Sequence, residues 1–219
     1  VGWLPGELIA FYARPTVGKT WMCVDIAATA VKEGIKTLLI STEMPVEAIS
    51  LRLDVVLGHK MGYTFSHTGL RTGGEIEEDN YKEFLSKLNS KNLLICDHIE
   101  GESSISLEGI ASLIRKYNPE LVVLDGIYLV TTKSGSKKQM WEQSHSLFYG
   151  IKNLSLSFAM RKQESGISEI SLSSQQEDRK RDIKFQKYRD GELPSYQVSL
   201  KWDVDKGIIE EYNKYENDY

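Results

Sequence analysis

The segment Ala13-Arg14-Pro15-Thr16-Val17-Gly18-Lys19-Thr20 constrains this chain more than any other. It follows a short apolar run, Glu7 to Tyr12, and opens an amphipathic stretch whose spacing predicts a helix from Lys19 to Lys32, stopped by Gly34. In a loop between a strand and a helix, backbone N–H groups and the positive helix end can cradle phosphates. Lys19 is placed to neutralise those phosphates, and the Thr20 hydroxyl can ligate magnesium. Ala13 stands where the G-x-x-x-x-G-K-T/S pattern has its first glycine, which would matter if the backbone there needed a positive φ. A chance Gly-Lys-Thr at a helix start is the bland alternative.

Further β-rich runs, Lys36 to Ser41, Asn92 to Cys96 and Leu121 to Asp125, alternate with predicted helices after Pro45 through Leu57, Ile76 to Leu88, Leu107 to Tyr117 and Gln139 to Leu154. Such alternation implies an α/β fold with a mostly parallel sheet between helices. Ile183 to Tyr188 and Tyr196 to Trp202 read as a C-terminal hairpin, while Gln163 to Lys180 has no clear period and reads as irregular. A length of 219 residues suits one domain.

Two acids downstream complete a candidate site. Leu121-Val122-Val123-Leu124-Asp125 is an apolar strand ending in a carboxylate, the form of a group that holds magnesium beside the loop threonine. Glu43 directly follows a strand whose C-terminal end belongs at the ligand edge of the sheet, where a carboxylate can polarise an attacking water. Glu43 is also sensible, as the lesser alternative, as a favourable charge at the start of the Pro45 helix.

The formal net charge of -4 argues against a chain that coats nucleic acid with its whole surface. From Lys133 to Arg189, however, 12 Lys or Arg stand against 6 Asp or Glu, which permits a local anion-binding face or a merely solvated one. Cys23 and Cys96, the two cysteines, show no disulfide or zinc spacing and fit a reducing compartment. No apolar stretch is long enough to span a bilayer, and the expected address is cytoplasmic. His59, His67, His98 and His145 lack metal-ligand spacing.

The loop Ala-Arg-Pro-Thr-Val-Gly-Lys-Thr, then Ser41-Thr42-Glu43-Met44-Pro45, Leu124-Asp125-Gly126-Ile127-Tyr128-Leu129, and Lys187-Tyr188-Arg189-Asp190-Gly191 before a strand ending at Trp202, together resemble the RecA-like motor domain of DnaB-type replicative DNA helicases, including phage-encoded ones. That family commonly begins its loop with Ala. The resemblance implies an ATP hydrolase in which Thr20 and Asp125 serve Mg2+, Asp125 through water, Lys19 serves the phosphates, and Glu43 serves the attacking water. It implies that Arg189 and Lys187 reach the γ-phosphate of a neighbouring subunit in a homohexameric ring. Lys133, Lys137 and Lys138 fall where the family places a flexible loop facing single-stranded DNA, though a surface linker has the same composition. Primase or a helicase loader are the further partners implied, in a bacterial or phage-infected cell. The family's N-terminal collar domain is missing, and a start at Val-Gly-Trp rather than Met suggests a fragment. Between Ser155 and Asp182 the chain is shorter than the family leads one to expect, so Gln163, Gln175 and Gln176 provide no assigned sensor glutamine. Other RecA-fold ATPases, recombinase-like or clock-type, and a nucleotide-gated assembly or loader module stay open as readings.

Overall fold

A computed structural model describes residues 3, 6–74, 77–88, 90–131, 146–154, 167–174, 180–187 and 198–211, with backbone alone at 90, 167–174, 180–181 and 184–187. Its strands are β1 (Leu8–Tyr12), β2 (Thr37–Ser41), β3 (Leu93–Cys96), β4 (Leu121–Asp125), β5 (Ile167–Ser174), β6 (Lys180–Lys187), β7 (Val198–Asp203) and β8 (Ile208–Glu211). The helices are α1 (Lys19–Lys32), α2 (Val46–Lys60), α3 (His67–Thr72), α4 (Glu78–Lys87), α5 (Leu107–Tyr117) and α6 (146–154).

The site is built on a parallel sheet of order β3-β2-β4. Every residue of β2 is buried, as a central parallel strand covered on both faces requires. Alternation along β2 divides its contacts: Leu39 joins Val24, Ala28, Ile49, Leu53 and Phe84 under α1, α2 and α4, whereas Leu38 and Ile40 join Ile110, Ile114 and Leu147 under α5 and α6. The result is a helix–sheet–helix sandwich. Within it α5 is bounded by its own chemistry, since the Ser106 hydroxyl accepts from Gly109 N at 3.0 Å and Asn118 closes the helix in the left-handed region.

A second sheet has the order β1-β5-β6-β7-β8, with β1 and β5 parallel and the rest antiparallel. Its β6 and β7 are the expected hairpin strands, and β8 extends them. A strand, β5, stands within the stretch read from sequence as irregular; its pairing with β1 and β6 supplies the backbone partners that a polar, aperiodic sequence does not advertise. Met22 and Trp21 of α1 pack with Leu200, Trp202 and Ile209, so α1 also touches the antiparallel strands. Gln163, Gln175 and Gln176 lie outside the described residues. Among the described residues, no helix is long and apolar enough to cross a membrane.

Candidate functional site

Strand register brings the site together. Because β2 and β4 run parallel with Ser41 opposite Asp125, the residues that leave their C-terminal ends emerge side by side. Thr42 then joins the two tips: its N–H donates to the Asp125 carbonyl at 3.1 Å, and its hydroxyl donates to the carbonyls of Asp125 at 3.1 Å and Gly126 at 2.7 Å. Gly126 turns away at φ 85, where a Cβ would collide with the Thr42 hydroxyl and come within 2.9 Å of Glu43 Cγ. Glycine at 126 therefore lets the carboxylates of residues 43 and 125 share one edge.

The other wall is the loop between β1 and α1. Thr16 at φ 68 and Gly18 at φ 111 curl it, and Ala13 is not among the positive-φ residues, so alanine costs no backbone strain there. Lys19 Nζ crosses the loop, donating to the carbonyls of Ala13 at 3.1 Å and Arg14 at 3.3 Å. A Cβ on Gly18 would sit 2.5 Å from Trp202 Cζ2. The indole of β7, 4% exposed, thus seats directly on the last loop glycine.

Asp125 is 4% exposed, and its Oδ2 is buried with no hydrogen-bond partner among the described residues. Burial pushes its carboxyl above the usual range, and Glu43 pushes the same way, while the Thr20 hydroxyl, Lys19 and Arg52 favour the ionised form. Cys23, one turn into α1, registers the same field: burial first, then Asp125 and Glu43, push its thiol to about 12, so it is no nucleophile. An orphaned carboxylate oxygen beside a hydroxyl and a second carboxylate fits Mg2+, which is held by one or two protein oxygens with substrate phosphates and water. Accordingly no cluster of three His, Cys, Asp or Glu is needed, and none is formed among the described residues.

Glu43 accepts a hydrogen bond from the Tyr128 hydroxyl at 2.5 Å. Its loop is held from the far side as well. Met44 N–H donates to Ser41 Oγ at 3.1 Å, and Val46 N–H, at the start of α2, donates to Asp97 Oδ2 at 2.9 Å. His98 Nδ1 lies 2.6 Å from the other Asp97 oxygen and holds that carboxyl below the usual range. Arg52 donates to the Ala48 carbonyl at 2.7 Å and lies 5.3 Å over the Trp21 ring; burial, then Arg71, lower its proton affinity.

Lys19 and Thr20, at the end of the loop, thus come to the strand tips that carry Glu43 and Asp125, although β1 itself belongs to the other sheet. Lys187 is the last residue of β6, its backbone opposite Glu169 of β5, away from that edge in sequence and pairing. Arg189, Lys133, Lys137 and Lys138 lie outside the described residues. Thr131, two positions before Lys133 in sequence, is held on both sides: its N–H donates to the Ile105 carbonyl, and Leu107 N–H donates to the Thr131 carbonyl. Sequence reasoning missed Thr42, Asp97 and Tyr128 as parts of the site. Asp97 had the same signal as Asp125, an acid closing an apolar strand; Tyr128 stood in the quoted run from Leu124 to Leu129, but nothing there gave it a role.

A family model, the DnaB-like helicase C-terminal domain, matches residues 1–160. Over 132 residues the chain is 28% identical to the replicative DNA helicase DnaB of Haemophilus influenzae, covering 58% of this chain and 27% of that protein. In three dimensions it is similar to a DnaB-like replicative helicase studied for its interactions with primase, at TM-score 0.78 and 16% identity over 95% of this chain and 58% of the other. It is similar to a second solved structure, an ATPase domain on its own, at TM-score 0.78, with 15% identity, 97% of this chain and 87% of that one covered. The likeness to a KaiC-like protein of the hyperthermophilic archaeon Pyrococcus horikoshii is lower, at TM-score 0.58 and 13% identity over 97% and 92% of the two chains. The shared architecture is the RecA-like ATPase fold. The chain spans about a quarter of the length of the curated relative that it matches.

Proposed function

Since the chain belongs to the DnaB-like helicase C-terminal domain family, we propose that it is an ATP-hydrolysing motor domain of a replicative DNA helicase, one subunit of a homohexameric ring that moves on single-stranded DNA and unwinds duplex. The observation that carries the reading is the convergence of Lys19 on its loop, the unpartnered buried oxygen of Asp125, and Glu43 on the adjoining strand tip.

In this reading the loop from Ala13 to Gly18 wraps the ATP phosphates with its N–H groups, and Lys19 leaves its carbonyl partners for their negative charge. Thr20 and Asp125 would hold Mg2+, Asp125 through water, and the ion would supply charge neutralisation at the phosphates. Glu43 takes the proton of the attacking water. Lys187, the last residue of β6, and Arg189, two positions on in sequence, reach the γ-phosphate bound by the neighbouring subunit; such a trans arginine contributes on the order of 10³ to 10⁵ in rate. Lys133, Lys137 and Lys138 hold the DNA backbone without reading its bases. Primase or a loader joins the ring in the cytoplasm of a bacterial or phage-infected cell. A clock-type or recombinase-like ATPase is the alternative; the KaiC-like protein is similar at the lower TM-score of 0.58.

The test is ATP hydrolysis with and without single-stranded DNA, at matched subunit concentration, for the unaltered protein, Glu43→Ala and Arg189→Ala. DNA-stimulated turnover lost in both variants is the expected result. Unchanged turnover in both overturns the assignments, and ATP binding with no turnover points to a nucleotide-gated assembly module.

A further inference from the structure

We propose that Tyr128 is the positioning residue of Glu43, orienting the carboxylate that the proposed function uses on the attacking water. This rests on that reading of Glu43 and adds a residue that neither the family match nor the motifs assign.

The argument starts from what a carboxylate on a loop lacks. A glutamate has three rotatable bonds before its oxygens, and a base is effective only when one oxygen is held within hydrogen-bond reach of the proton it takes. Thr42, Met44 and Val46 fix the backbone around Glu43, but none of their bonds touches its carboxylate. The Tyr128 hydroxyl is the group whose bond, 2.5 Å to Oε1, does so. With Oε1 engaged, Oε2 is the oxygen left for water.

The donor is itself well placed. Tyr128 lies in a single 3-10 turn, Ile127–Leu129, that begins at Gly126, and that turn is capped by the Leu129 N–H bond to the Gly126 carbonyl at 3.0 Å. The bond to Glu43 pushes the phenol above its usual value, so the donor proton stays in place through the physiological range. Packing does not explain the side chain, which is 66% exposed although aromatic, so the hydroxyl contact is what the structure gives it to do. The connection also has a mechanical sense. Tyr128 is three residues beyond Asp125, so the two acids are tied through both chain and side chain.

Exposure limits the size of the effect, because a bond open to water is worth less than a buried one. Tyr128→Phe, which keeps the ring and removes the donor, is expected to lower kcat on the order of 10-fold while leaving KM for ATP unchanged. A role in folding alone would change stability and KM without that split. The decisive comparison is a double-mutant cycle of Tyr128→Phe with Glu43→Gln, read in steady-state ATP hydrolysis and in binding of a fluorescent ATP analogue. If Tyr128 acts through Glu43, adding Tyr128→Phe to Glu43→Gln removes no further activity. Equal kcat for Tyr128→Phe and the unaltered protein, with Glu43→Gln inactive, overturns the inference and leaves Glu43 as base. Additive losses in the double variant overturn it also. Full turnover in Glu43→Gln, or ATP binding without turnover in the unaltered protein, removes the underlying reading of Glu43 and this inference with it.

Discussion

The tips of β2 and β4 and the strands β6 to β8 meet the loop between β1 and α1 by opposite means. At the tips, parallel register delivers Glu43 and Asp125 to one edge, and hydrogen bonds from the Thr42 N–H and hydroxyl to the carbonyls of Asp125 and Gly126 join them there. The antiparallel strands contribute no acid to that edge among the described residues; they reach the loop through apolar packing, with Trp202 against Gly18 and Ala13 and Val17 beside the same cluster. Hydrogen bonds between strand ends set direction and spacing, whereas aromatic packing sets only close approach. The first region should therefore fail by losing chemistry, and the second by losing the loop's shape.

Trp202→Ala is the largest test of that difference. Removing a buried indole from a packed cluster costs about 3–5 kcal/mol, read as a fall in denaturation midpoint. Because the vacated space lies under Gly18, ATP affinity should fall as well. Leu39→Ala provides the control from the parallel sheet, at about 3 kcal/mol of stability, with ATP affinity per folded molecule unchanged. Equal effects of the two variants on affinity would erase the distinction between the regions.

Much of this is legible in the chain. The ends of α1 and α5 can be read because each carries its own stop, Gly34 after α1 and Asn118 after α5; β2 can be read because an apolar run marks a buried parallel strand, and β4 by its apolar run up to Asp125, although Val122 is exposed. The loop and both acids are visible as letters in that context. What stays hidden depends on partners far away in sequence. β5 is a strand because β1 and β6 flank it, and Ser, Glu and Gln around it resemble a loop until those neighbours are known. Helix α3 is short and depends on Asp205, which accepts from Thr68 N–H at 2.9 Å across the turn before β8. Trp202 can be recognised as a landmark, but not as the residue seated on Gly18. Tyr128 and Glu43 are 85 positions apart, and no periodicity joins them.

A smaller test separates stability from chemistry inside the first region. Asp125 carries a buried oxygen without a partner among the described residues and a carboxyl raised by burial, so its ionised form opposes folding. Asp125→Asn should add about 1 kcal/mol to stability at neutral pH, the scale of a relieved buried polar group, while abolishing Mg-dependent turnover. The sign follows from the raised value: the unaltered protein is relatively more stable when the group is protonated, so the advantage of the variant shrinks as pH falls through the raised carboxyl value. Urea midpoints of both proteins from pH 7 downward check this. A variant less stable at every pH would mean that the ionised carboxylate is a stabilising part of the fold.

Asp97 should give the opposite pH behaviour at the smallest amplitude. It accepts from Val46 N–H at the start of α2 and pairs with His98, and its carboxyl lies below the usual range, chiefly through His98. A depressed carboxyl contributes stability that is present above the unfolded value and disappears as pH falls through the folded one. Asp97→Ala removes a helix-capping acceptor, worth about 0.5–1 kcal/mol, and that loss should be seen at pH 7 but not in acid, where the unaltered protein has lost the same contribution. Because α2 begins three residues after Glu43, the variant should also turn over ATP more slowly while binding it normally. If stability falls but turnover does not, the tip bonds through Thr42 suffice to hold Glu43, and the cap on α2 belongs to the scaffold rather than to the site.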